Sequence, residues 1–78
     1  MTTTLDRLRN GQTATVTALD VDGAERRRLM DLGVLPGTPI RVDRVSPLGD
    51  PTAYLVRGSV IALRRHQARG IHITVGQG

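Results

Sequence analysis

Tyr54 is the only aromatic side chain in this 78-residue sequence, so the core must be built from Val, Leu, Ile and Ala. Side chains of that size bury little area each. At about 25 cal/mol per Å² of apolar surface, such a core exceeds the entropy of ordering the chain by only a few kcal/mol. A chain this short has room for one core, and residues 1–78 read as a single domain. A thin core is completed most readily by a sheet that curls back on itself, or by docking against a partner. Cysteine is absent, which removes disulfides and thiolate metal sites.

The local patterns read mainly as strand. Met1 to Thr3 and Gly76 to Gly78 look like loose ends, and Thr4 caps a short helical turn that Asn10-Gly11 follows. From Gln12 to Leu19, Ala14, Val16 and Ala18 alternate with Thr13, Thr15 and Thr17, a half-buried strand with a polar threonine face. Asp22 to Leu32 reads as a helix. Asp22 stands at the N-cap with Glu25 three residues on, and Ala24, Leu29, Met30 and Leu32 form the apolar stripe. Arg27 and Arg28 are spaced to pair with Asp31, and Gly33 lets the helix stop.

Leu35-Pro36-Gly37-Thr38 has Pro then Gly in the order of a type II turn. Ile40 to Val45 alternates as a strand of undecided phase, and Ser46 to Pro51 is a turn-forming loop. Thr52 to Val56 is a strand that Gly58 breaks or bulges before Ser59 to Ala62 continue it. Leu63 to Arg69 forms a short helix closed by Gly70. In the last strand, Ile71, Ile73 and Val75 oppose His72 and Thr74. The expected class is mainly β: about five strands, one α-helix after the first strand and a short helix before the last. Closure into a small barrel would remove the edge strands.

The inventory of reactive groups argues against an enzyme. No Gly-x-Ser-x-Gly elbow presents a serine, no glycine-rich P-loop ends in Lys-Ser or Lys-Thr, and the aspartates fall at caps and turns. His66 and His72, the only imidazoles, stand six apart, which is neither a helical i, i+4 pair nor a zinc spacing. They are the candidate metal ligands, and a solvated surface role is the favoured reading. Net charge is +4 and every cation is Arg. An Arg-rich face suits planar anions, but single-strand binders also need an aromatic platform, so no nucleic acid partner is expected. The first residues lack the apolar stretch of a signal peptide, and no apolar run approaches the roughly 18 residues of a membrane span. A soluble, cytoplasmic protein is the expectation.

Three segments in order carry a resemblance: Leu29 to Thr38, entered by the Arg-rich run Arg26 to Arg28 and holding Leu-Gly-x-x-Pro-Gly at Leu32 to Gly37; Pro-Leu-Gly-Asp-Pro at Pro47 to Pro51; and Val56 to Arg65 with Ala-Leu-Arg at Ala62 to Arg64. The sequence resembles the ferrous iron transport protein A (FeoA) family from about Leu5 to Val75. The resemblance implies an SH3-like barrel. It also implies a cytosolic accessory protein that binds the membrane ferrous iron permease bearing a GTPase domain, and so lies peripheral to the inner membrane through that partner. It implies no resident cofactor beyond an association with ferrous iron. Gln67 departs from the pattern, since an acidic residue is common after Ala-Leu-Arg. The motif glycines and prolines have backbone reasons to exist, whereas Leu48 at a turn tip has none. The partner-contact candidates are Leu48, Gly49, Asp50, Met30, Leu35, Arg26 and Arg27. A nucleic-acid-binding small barrel and a stand-alone metal-sensing module, like the C-terminal domain of iron-dependent repressors, are the alternatives. Self-association is left open.

Overall fold

The computed structural model describes residues 1–76. In chain order, β1 (Thr2–Thr4) leads into a 3-10 turn at Leu5–Arg7, then β2 (Thr13–Leu19) and α1 (Gly23–Asp31). There follow β3 (Pro39–Val45), β4 (Thr52–Val56), β5 (Ser59–Leu63), α2 (Arg65–Ala68) and β6 (Ile71–Val75). The strands form one antiparallel sheet in the order β1-β6-β2-β3-β4-β5. The expected loose end at Thr2 and Thr3 is therefore a sixth strand, and α1 follows the second strand. Gly76 is also tied down, its N–H donating to the Thr13 carbonyl at 2.9 Å, while Gln77 and Gly78 lie outside the described residues.

Ala14, Val16, Ile40, Val42, Tyr54, Val56, Ile61, Leu63, Ile71 and Ile73 from five strands join Leu5, Leu29 and Val34 in a single buried cluster. Small aliphatic side chains from five strands can share one cluster only if the sheet curls around it. The ladder remains open, because β1 and β5 are both edge strands. Leu5 in the 3-10 turn and Ala68 in α2 are both fully buried in the same core. The Tyr54 hydroxyl donates to the Leu5 carbonyl at 3.5 Å, and Arg69 Nε lies 4.0 Å from Asp6 Oδ2, so short contacts stitch these pieces to the curled sheet.

Two local expectations give way to tertiary register. A bulge between Val16 and Ala18 shifts the phase of β2, so Leu19 is buried and Ala18 is exposed. Gly58 marks a reversal and not a bulge: Val56 pairs with Ser59, and Arg57 (φ 51) and Gly58 (φ 83) form a two-residue hairpin turn between β4 and β5. The Pro36-Gly37 turn forms as read, with Thr38 N–H donating to the Leu35 carbonyl at 3.0 Å and Gly37 at φ +91.

Burial pushes the Tyr54 phenol above its usual value near 10; the Thr52 hydrogen bond opposes the shift, and the charges of Asp6 and Asp50 add to it. The chain has no Lys or Cys, so Tyr54 is the only side chain expected to titrate between pH 9 and 12. The unfolded chain loses this proton near pH 10 while the folded chain still holds it. Stability is therefore full below pH 10 and falls as pH rises toward the folded pKa. Urea midpoints should decline over that window, and Tyr54→Phe should flatten the decline.

Candidate functional site

The Ser46–Pro51 loop joins β3 to β4 through a turn with Pro47 second and Gly49 fourth. Gly49 N–H donates to the Ser46 carbonyl at 2.8 Å, and Ser46 N–H to the Pro51 carbonyl at 3.3 Å. The Asp50-Pro51 bond is cis. Asp50 Oδ1 accepts from Arg65 N–H at 3.0 Å, and the Gly49 carbonyl accepts from Arg65 Nη2 at 3.4 Å. The three loop candidates thus divide. Gly49 and Asp50 hold the loop against the first residue of α2, and Leu48 is presented outward, 92% exposed.

α1 starts as the sequence suggests, with Asp22 Oδ1 accepting from Glu25 N–H at 2.9 Å. Its apolar stripe does not form. Leu29 is fully buried, Ala24 is exposed, and Met30 and Leu32 are 41% and 37% exposed. The reason is that Val34, just past the helix, fills the core beside Leu29 (Val34 N–H donates to the Leu29 carbonyl at 2.9 Å), so one helical side chain suffices. Arg28 pairs with Glu25 at 3.6 Å instead of Asp31, a pair of small energetic weight because its arginine is exposed. Arg26 Nη1 donates to the Leu19 carbonyl at 3.3 Å. Arg26, Arg27 and Met30, with Gly23 and Asp31, line a shallow groove of about 450 Å³ on the outer face of α1. Leu35 is half-buried in the turn that follows.

Gln67 connects the two helices. Its Oε1 accepts from Arg64 N–H at 2.8 Å, capping α2, and its Nε2 donates to Glu25 Oε1 at 2.8 Å on α1. An acid at this position could accept from Arg64 but could not donate to Glu25. The departure noted in the sequence therefore has a structural use: α2 braces the Leu48 loop through Arg65 and α1 through Gln67. Neither bracing residue was among the sequence candidates. The signal for Gln67 was its place three residues after Arg64, half of a capping box.

His66 is exposed on α2, and His72 Nε2 on β6 lies 3.8 Å from Asp20 Oδ2. No group of three His, Asp or Glu side chains converges among the described residues. One imidazole and one carboxylate fall short of the three or four ligands of a transition-metal site. Among the described residues, no helix is long and apolar enough to cross a membrane.

A curled antiparallel sheet with two peripheral helices, an exposed turn tip and a basic helix face defines a small mainly β domain of SH3-like type. Residues 3–75 match the FeoA domain family, and the chain belongs to it. It is similar to the FeoA protein of Chlorobium tepidum, whose solution structure is 40% identical with a TM-score of 0.87 over 92% of this chain and 69% of that one. It is also similar to Stenotrophomonas maltophilia FeoA complexed with zinc, described as a prokaryotic SH3 domain protein, at 30% identity and a TM-score of 0.77 over 94% and 88% of the two chains. A Porphyromonas gingivalis protein described as an Fe(2+) transport protein A/Fe(2+) transporter FeoB fusion is 30% identical over 69 residues. That match covers 88% of this chain and spans 8% of the fusion protein.

Proposed function

We propose that this protein is a cytoplasmic, non-enzymatic accessory of ferrous iron uptake that binds the cytosolic part of the ferrous iron permease through the Leu48 loop and the Arg26–Arg27–Met30 face of α1. The observation that carries this reading is the Porphyromonas gingivalis relative, in which a domain of this family and the FeoB transporter share one polypeptide. Covalent linkage gives two modules a high effective concentration, which is useful where they work in contact. Membership of a ferrous iron transport family supports the same reading. The surface supports it too: Leu48 is an aliphatic side chain held in water by a braced loop, and burying it in a partner returns about 1.5–3 kcal/mol.

The test is a calorimetric titration of the protein into the isolated cytosolic domain of the permease. Leu48→Ser is expected to weaken binding by about 10- to 100-fold. Arg27→Glu is expected to weaken it most at low salt. An unmodified protein that does not bind, or variants that bind as tightly as the original, would overturn the proposal.

A further inference from the structure

The outer face of the sheet carries a second cationic feature, on the strands β2, β3 and β4. Register places Thr13 on β2 beside Arg41 on β3, and Arg41 beside Leu55 on β4, so the three stand in one row across adjacent strands. Arg57 follows at the β4–β5 turn. Thr13, Pro39, Arg41, Leu55 and Arg57 line one depression of about 150 Å³. Among the described residues neither arginine has a carboxylate within 4.0 Å, and Asp43, exposed on the β3 bulge between Arg41 and Arg44, pairs with neither.

Arg57 also breaks a local rule. It sits at φ 51 in a turn position that Asn or Gly fills at lower cost. Backbone strain of this kind tends to persist where the side chain has a use. Its stem runs close to Gly33, with Cδ 3.4 Å from where a Cβ on that glycine would stand, so part of the side-chain freedom is already spent before any ligand arrives. Two cations sharing one depression repel each other until an anion enters. A carboxylate carries one charge and is satisfied by one guanidinium fork. A phosphomonoester carries about −1.5 to −2 and has three acceptor oxygens, which matches two forks and the Thr13 hydroxyl. Leu55 and Pro39 give the carbon part of such an ester an apolar rest.

We infer that Arg41 and Arg57 form a binding site for a phosphomonoester dianion, either a free small phosphate ester or the headgroup of a phosphatidic-acid-type lipid. The site is open to solvent, so affinity in the millimolar range and marked salt dependence are expected. The test is an amide-shift titration of the whole isotope-labelled protein with phenyl phosphate, inorganic phosphate and acetate at matched ionic strength. Saturable shifts should centre on Thr13, Arg41, Leu55 and Gly58. Phenyl phosphate should bind more tightly than inorganic phosphate, and acetate at least fivefold more weakly. Arg41→Gln and Arg57→Asn should each weaken phenyl phosphate about tenfold while the remaining amide spectrum stays folded. Asn suits the backbone at position 57, so loss of binding there is not loss of the turn. Arg57→Lys, which keeps the charge but not the fork, should fall between. Co-sedimentation with phosphatidylcholine vesicles containing phosphatidic acid separates the sources: retention lost in both variants assigns a lipid headgroup, and no retention alongside saturable phenyl phosphate binding assigns a soluble ester. Shifts that follow ionic strength alike for all three anions, or that survive in both variants, overturn the inference.

Discussion

Leu29→Ala is expected to lower the unfolding free energy by about 2–5 kcal/mol, the usual cost of emptying a fully buried leucine site. Leu29 is fully buried and is the one buried residue of α1. The loss should therefore have two parts: a global drop, and local release of the helix that lines the Arg26–Arg27–Met30 groove. A domain of this size has about 4–12 kcal/mol to lose, and each kcal/mol moves the melting temperature by roughly 4–8 °C. Urea denaturation reads the first part, and amide hydrogen exchange across Gly23–Asp31 reads the second. Met30→Ala on the same helix is the contrast. Met30 is partly exposed, so its removal should cost under about 1 kcal/mol while still weakening partner binding. A loss of similar size for both would mean that the helix is not pinned at Leu29.

Gly70→Ala is the second substitution with a large expected effect, and its cause is different. Asp20 N–H donates to the Gly70 carbonyl at 2.6 Å, drawing the start of β6 against the end of β2. A Cβ at residue 70 would stand 2.9 Å from the Asp20 carbonyl oxygen and would also overlap the Val21 side chain. Val21 can rotate, but the Asp20 backbone is held in place by the hydrogen bond. The crowding should cost about 1–3 kcal/mol and lower the melting temperature accordingly. Gly58→Ala separates crowding from backbone conformation. Gly58 is at φ +83 with open space around its Cβ direction, so only the conformational cost of about 1–2 kcal/mol applies there. Unchanged thermal stability of Gly70→Ala would show that the β2–β6 junction yields more easily than its geometry implies.

Much of the fold was legible residue by residue. Asp22 caps α1, Pro36-Gly37 turns the chain, and Ile71 and Ile73 point inward, because each depends on neighbours within a few positions. The candidate site was legible only in part. Leu48 stood out as an aliphatic residue at a turn tip, which needs no knowledge of the rest of the molecule. The other half of the loop's story, that Gly49 and Asp50 face Arg65, joins positions 15 and 16 residues apart and leaves no local trace.

Taken alone, the sequence determined most element types (β1 at Thr2–Thr4 excepted), the aliphatic core, the family and the absence of a recognisable catalytic motif, since all of these follow from residue chemistry and short-range spacing. Tertiary structure decided which apolar side chains remain outside. Val34 took the core position that the helical stripe was expected to fill, the β2 bulge exchanged Ala18 for Leu19, and Gln67 joined two helices by donating and accepting at once. Each of these outcomes depends on the register between strands or on contacts across the curled sheet. Such competition for a limited core is settled only when the whole sheet has curled around it.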